Sequence, residues 1–137
     1  MLAKLAALSV LVLGAITATV QPGPAASPSP VLVTFEQTGG FAAIERGLTV
    51  RRSGALVSDG LPLKAKQLSA ARMARLRMLL TDAHFATLKH RYDPAEPIAD
   101  GFVYRISYGG RRVDIGEDAK LPERLAGLFA FLRSLTH

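Results

Sequence analysis

Cysteine is absent from all 137 residues. That excludes a disulfide framework, a thiolate metal site, a thiol nucleophile and a lipid anchor on cysteine, so a folded unit here is held by packing alone. No Gly-x-Ser-x-Gly segment exists to expose a serine nucleophile, and the serines fall at turns and helix starts. There are only 3 histidines. His84 and His90 lie astride an expected helix end rather than at the i, i+4 spacing of a helical zinc site, and His137 stands alone. Thr38-Gly39-Gly40 lacks the Gly-Lys-Ser/Thr ending of a phosphate loop. Glu117-Asp118 is the one adjacent acidic pair placed for acid/base work, and it reads more simply as acids before the positive end of a helix. These absences argue against an enzyme and imply neither metal nor cofactor.

An apolar run from Leu5 to Ile16 follows Lys4 and exits through small and polar residues to Thr19. This is the layout of a signal peptide, expected over residues 1–20 and cleaved near Ala18 or near Ala25-Ala26. It falls short of the roughly 20 apolar residues that span a bilayer, although retention as an anchor is the alternative. Residues 21–30 hold four prolines among Ser, Ala and Gly and read as a linker. The domain expected over 31–137 has 107 residues (137 minus 30), enough for one core. The expected location is secreted or periplasmic, with the membrane met only transiently through the leader.

Of 17 Lys and Arg only Lys4 precedes the domain, which leaves 16 against 11 Asp and Glu. That balance suits an acidic partner or an anionic envelope surface. The basic residues are dispersed as pairs, Arg51-Arg52 and Arg111-Arg112, and along one helix, with no run of five. A nucleic-acid surface needs clustering and stacking aromatics, so nucleic acid is not an expected partner, and a solvated basic surface is the preferred reading.

The period of the apolar residues sets the elements. Val31 to Glu36 and Ile44 to Arg52 read as strands, with Ala55 to Val57 as a short addition. Ser69 is a candidate N-cap for a helix to about Ala83 carrying Met73, Leu76, Leu79, Leu80 and Ala83 on one stripe. Phe85 and Leu88 cover the core edge, and Lys89 to Asp100 reads as an extended loop. Gly109-Gly110 between two alternating runs specifies a two-residue hairpin. In its register Ile106 faces Val113 and Tyr104 faces Ile115, while Arg105 meets Asp114 on the other side. Pro122 starts a last helix with Leu125, Leu128, Phe129, Leu132 and Leu135 on one stripe. The expected fold is α+β, an antiparallel sheet of about four strands with two helices packed on one face.

The string Phe35-Glu-Gln-Thr-Gly-Gly-Phe-Ala-Ala-Ile44 resembles the opening of the emfourin family. The resemblance continues through Leu79, Leu80, Ala83, Phe85 and Leu88, then Asp100-Gly101-Phe102-x-Tyr104, Gly109-Gly110-Arg111-Arg112, a segment like Ile115-Gly116-Glu-Asp-Ala119, and Leu121-Pro122-Glu123. It covers roughly Val31 to Leu135 in order, with an insertion around Ala55 to Lys66, a basic first helix and the leader as departures. It implies a proteinaceous inhibitor of a thermolysin-like zinc metallopeptidase, whose cleft prefers a bulky apolar side chain just after the scissile bond. On that reading the partner-binding loop is Thr38, Gly39, Gly40, Phe41, Ala42 and Ala43, with Phe41 either the anchor or a lid folded onto the sheet. Glu96, Pro97 and Ile98 form the second candidate loop, or a plain connector. The other expectation is a non-catalytic binding module of the cell envelope.

Overall fold

The computed structural model describes residues 19–20, 23 and 27–136. The expected leader up to residue 18, its candidate cleavage points and half of the expected linker, residues 21, 22 and 24–26, lie outside the described residues. Within the folded part the order is β1 (Val31–Gly39), β2 (Ile44–Arg51), β3 (Leu56–Asp59), α1 (Ala70–Asp82), a 3-10 turn (Phe85–Thr87), β4 (Arg91–Tyr92), β5 (Phe102–Tyr108), β6 (Arg111–Gly116) and α2 (Glu123–Ser134).

The β5–β6 hairpin forms as its glycines dictate. Gly109 and Gly110 both take positive φ, 57° and 76°, which a type I′ turn requires and side chains oppose. The register pairs Ile106 with Val113, Tyr104 with Ile115 and Arg105 with Asp114. Alternation then sorts the sheet: Val33, Phe35, Leu48, Val50, Ile106 and Ile115 are buried on one side. On the other side Glu36, Arg105 and Asp114 stand in one cross-strand row. Arg105 Nε donates to Asp114 Oδ1 at 2.9 Å and Nη1 to Glu36 Oε2 at 3.4 Å. The hydrogen bond that Arg105 donates to Asp114, ahead of the nearby negative charge, holds the guanidinium above its usual pKa despite partial burial.

Both helices cover the apolar side. The Ser69 hydroxyl accepts from Arg72 N–H at 3.2 Å and starts α1. Its end is set by His84, whose φ of 49° is the left-handed turn that commonly closes a helix. Phe85 and Leu88 are then tucked into the core. In α2 the fully buried Leu125, Leu128 and Leu132 each contribute about 2 kcal/mol of transfer free energy. Phe129 sits edge-on to Phe35 and Tyr104 at 6.0 and 5.0 Å. Arg72 Nη2 lies 3.2 Å from Ser134 Oγ while Leu79 lies over Gly127, so the helices run antiparallel. Pro122 is the cap of α2 rather than its first helical residue. Among the described residues no helix is long and apolar enough to cross a membrane.

The sheet departs from about four antiparallel strands. It has six, in the order β3-β2-β1-β5-β6-β4, and it is mixed, because β4 runs parallel to β6 with Arg91 beside Asp114 and Tyr92 beside Ile115. The expected loop Lys89 to Asp100 therefore contains a strand. Two residues are too few for a period-2 signal to emerge, and β4 forms because β6 offers a free edge: Asp114 N–H donates to His90 O at 2.8 Å. The short addition after β2 lies at Leu56–Asp59 rather than Ala55 to Val57.

This topology gives the sheet two unlike ends. One carries the β1–β2 loop, the segment entering β5 and the turn leaving β6. The other carries the chain entry at Ser29-Pro30, the turn after Arg51 and the Gly109-Gly110 hairpin.

Candidate functional site: a loop edge presenting Phe41

At the first end, Gly39 pairs with Ile44 on one side and with Phe102 on the other. The four residues between the strands form a turn closed by Ala43 N–H donating to Gly40 O at 3.0 Å, which puts Phe41 and Ala42 at the tip. Phe41 is 96% exposed. The lid reading therefore does not describe this chain: the ring projects into solvent instead of covering the sheet.

What holds the loop up is backbone close to backbone. Gly39 has φ of 103°, and a Cβ there would stand 2.6 Å from Gly101 O, so this position accepts no side chain. A Cβ on Gly40 would meet the Phe102 ring at 2.8 Å. Phe102 thus lies beneath the turn as its floor. Phe102 N–H donates to Glu117 Oε2 at 2.9 Å, and Glu117 N–H donates to Phe102 O at 2.8 Å, which clips the turn after β6 to the start of β5. Ile98 packs against Gly101, where a Cβ would meet its side chain at 3.2 Å, and Ile98 O accepts from Gly101 N–H at 3.2 Å.

The two segments named from sequence therefore meet through Gly101 and Phe102. Phe41, Ala42 and Ala43 are exposed at the tip, and Glu96, Pro97 and Ile98 are exposed beside the start of β5. Thr38 belongs to the β-ladder, with its hydroxyl donating to Val103 O at 3.4 Å. A groove of about 260 Å³ lies between Pro94, Pro97, Ile98, Phe102 and Glu117. From sequence, Glu117 stands out only as half of an acidic pair, and Phe102 only through the Asp100-Gly101-Phe102 segment of the family resemblance. The Asp100-Gly101 dipeptide signals a turn, but no periodicity tells which loop the next ring will support.

Among the described residues, three of the four non-glycine residues with positive φ sit at this end: Ala43 at 46°, Asp100 at 54° and Asp118 at 58°. Such residues cost about 1 kcal/mol or more each, and they concentrate where a loop shape is over-determined by its surroundings. Behind the loop, burial raises the Tyr104 pKa above its usual value; Glu117 and Asp118 push the same way, against Arg133. Among the described residues no three His, Asp or Glu side chains converge. The edge is thus equipped to present an apolar side chain on a stiff turn. No protein-family model, curated protein or solved structure matches the chain.

Proposed function

We propose that the domain is a secreted or periplasmic inhibitor of a thermolysin-like zinc metallopeptidase that occludes the cleft with the loop Thr38 to Ala43. The observation that carries this reading is the exposure of Phe41 at the tip of a turn already fixed by Gly39, Gly40 and Phe102. The order of motifs along the chain supplies the class of partner. Burying a phenyl ring is worth about 2 kcal/mol, and the free domain gains almost none of it. A partner pocket for a bulky apolar residue recovers it with little loop ordering. The same stiffness keeps the backbone from relaxing into a substrate-like strand, so the loop resists turnover.

The test is a titration of the chain from Ser27 onward, which retains every core residue, against a panel of thermolysin-like peptidases. Stoichiometric loss of activity supports the reading, and full activity at micromolar inhibitor sinks it. A second reading, a non-catalytic envelope module, is favoured by the arginines at the opposite end of the sheet. A pull-down from envelope extract separates the two, since capture of a zinc peptidase selects the first.

A further inference from the structure

The basic pairs that look dispersed along the chain converge in space. Arg51 ends β2 and Arg52 follows it in the turn, Arg111 and Arg112 begin β6, and both ends lie at the chain entry, opposite Phe41. Two grooves run side by side there and share Val31, Leu32, Tyr108, Gly109 and Gly110. Arg52 and Arg77 line one, of about 680 Å³; Arg111 and Arg112 line the other, of about 380 Å³. Among the described residues the only carboxylate paired with any of these arginines is Asp114, which Arg112 approaches at 3.6 Å and shares with Arg105. Among the described residues Arg51, Arg52, Arg77 and Arg111 form no ion pair. Two of them are also held in place: Arg51 Nη1 donates to Ser29 O at 2.7 Å and Arg77 Nη2 to Arg52 O at 3.1 Å.

Apolar and amphipathic groups sit among these cations. Val31 is 47% exposed, and Tyr108 is half-buried with its ring stacked edge-on against Phe85 at 5.3 Å. Guanidinium groups around a small apolar rise and a tyrosine match the layered chemistry of a bilayer surface, phosphate outside and acyl chain within. The preceding chain attaches at this same face through Ser29 and Pro30, whose carbonyls accept from Arg51 and from Arg52 N–H.

From this we infer that the arginine end docks on an anionic lipid surface, leaving the Phe41 loop at the far end of the sheet free for a protein partner. The inference stands on the charge cluster alone and does not require inhibition.

The experiment is co-sedimentation of the full chain with vesicles of phosphatidylcholine, with and without phosphatidylglycerol. The N-terminal apolar run is common to every sample, so the ratio of anionic to neutral binding isolates the charges. Each guanidinium near such a surface strengthens partition about fivefold. The Arg52→Glu/Arg111→Glu pair should therefore lower anionic binding by at least about 25-fold, without moving the melting temperature. If that pair fails to fold, Arg77→Glu on the exposed side of α1 should still lower it about fivefold or more. Higher salt should weaken anionic binding as the Debye length shrinks. Equal binding to both vesicle types, variants that bind like the parent, or capture on soluble heparin without capture on vesicles would each overturn the lipid assignment.

Discussion

The two ends of this sheet are built from opposite materials. At the Phe41 end the backbone is crowded: Gly39 faces Gly101 O, Phe102 fills the space under Gly40, and Ala43, Asp100 and Asp118 take left-handed conformations. At the arginine end the hairpin turn is open, since nothing lies within 4 Å of a Cβ built on Gly109 or Gly110. Crowding fixes shape, and openness leaves charge to act over distance. A short-range apolar contact needs the first, whereas attraction to a charged surface works through the second.

Substitution at matched glycines sharpens this contrast most. Gly39→Ala should lose about 3 kcal/mol of stability, from strain and the clash with Gly101 O, read as a lower denaturant midpoint. Gly109→Ala, with φ of 57° in open space, should lose about 1 kcal/mol. Equal losses at the two positions would break the comparison. Next in size, Asp114→Asn should cost under about 1 kcal/mol, because the charges it joins are partly solvated; a double-mutant cycle with Arg105→Met measures the coupling. Phe41→Ala should shift stability by less than about 0.5 kcal/mol while abolishing inhibition in the peptidase titration. A large drop in melting temperature would return Phe41 to the core.

The smallest effect is a pH dependence. Tyr104 is an acid whose folded pKa is raised, first by burial, so the folded state holds the proton more tightly. Its contribution is complete below the unfolded value of about 10. It is lost as pH climbs toward and past the raised folded value. Thermal melts above pH of about 10 should show that decline, and Tyr104→Phe should flatten it.

Much of the scaffold was legible because it repeats. The stripes Met73-Leu76-Leu80 and Leu125-Leu128-Leu132 fix two helices, and Gly109-Gly110 fixes a hairpin register that leaves no choice of face. What sequence left open has no period. Whether Phe41 folds back or projects depends on Phe102, more than sixty positions away in the chain, filling the floor beneath Gly40. The meeting of Arg52, Arg77 and Arg111 depends on two strand turns and a helix arriving at one place. The parallel pairing of Arg91-Tyr92 was hidden for a different reason: two residues take strand form only because β6 presents them an edge.

That edge has a consequence for how copies of the chain meet. The outermost strands are the shortest, four residues in β3 and two in β4, while the nine-residue β1 is paired along both sides in the middle. Copies of the chain meeting edge to edge would find too few free backbone groups to build a joint sheet. An exposed phenylalanine and a basic patch thus sit on a molecule whose sheet edges offer a second copy little to pair with, and no disulfide guards it.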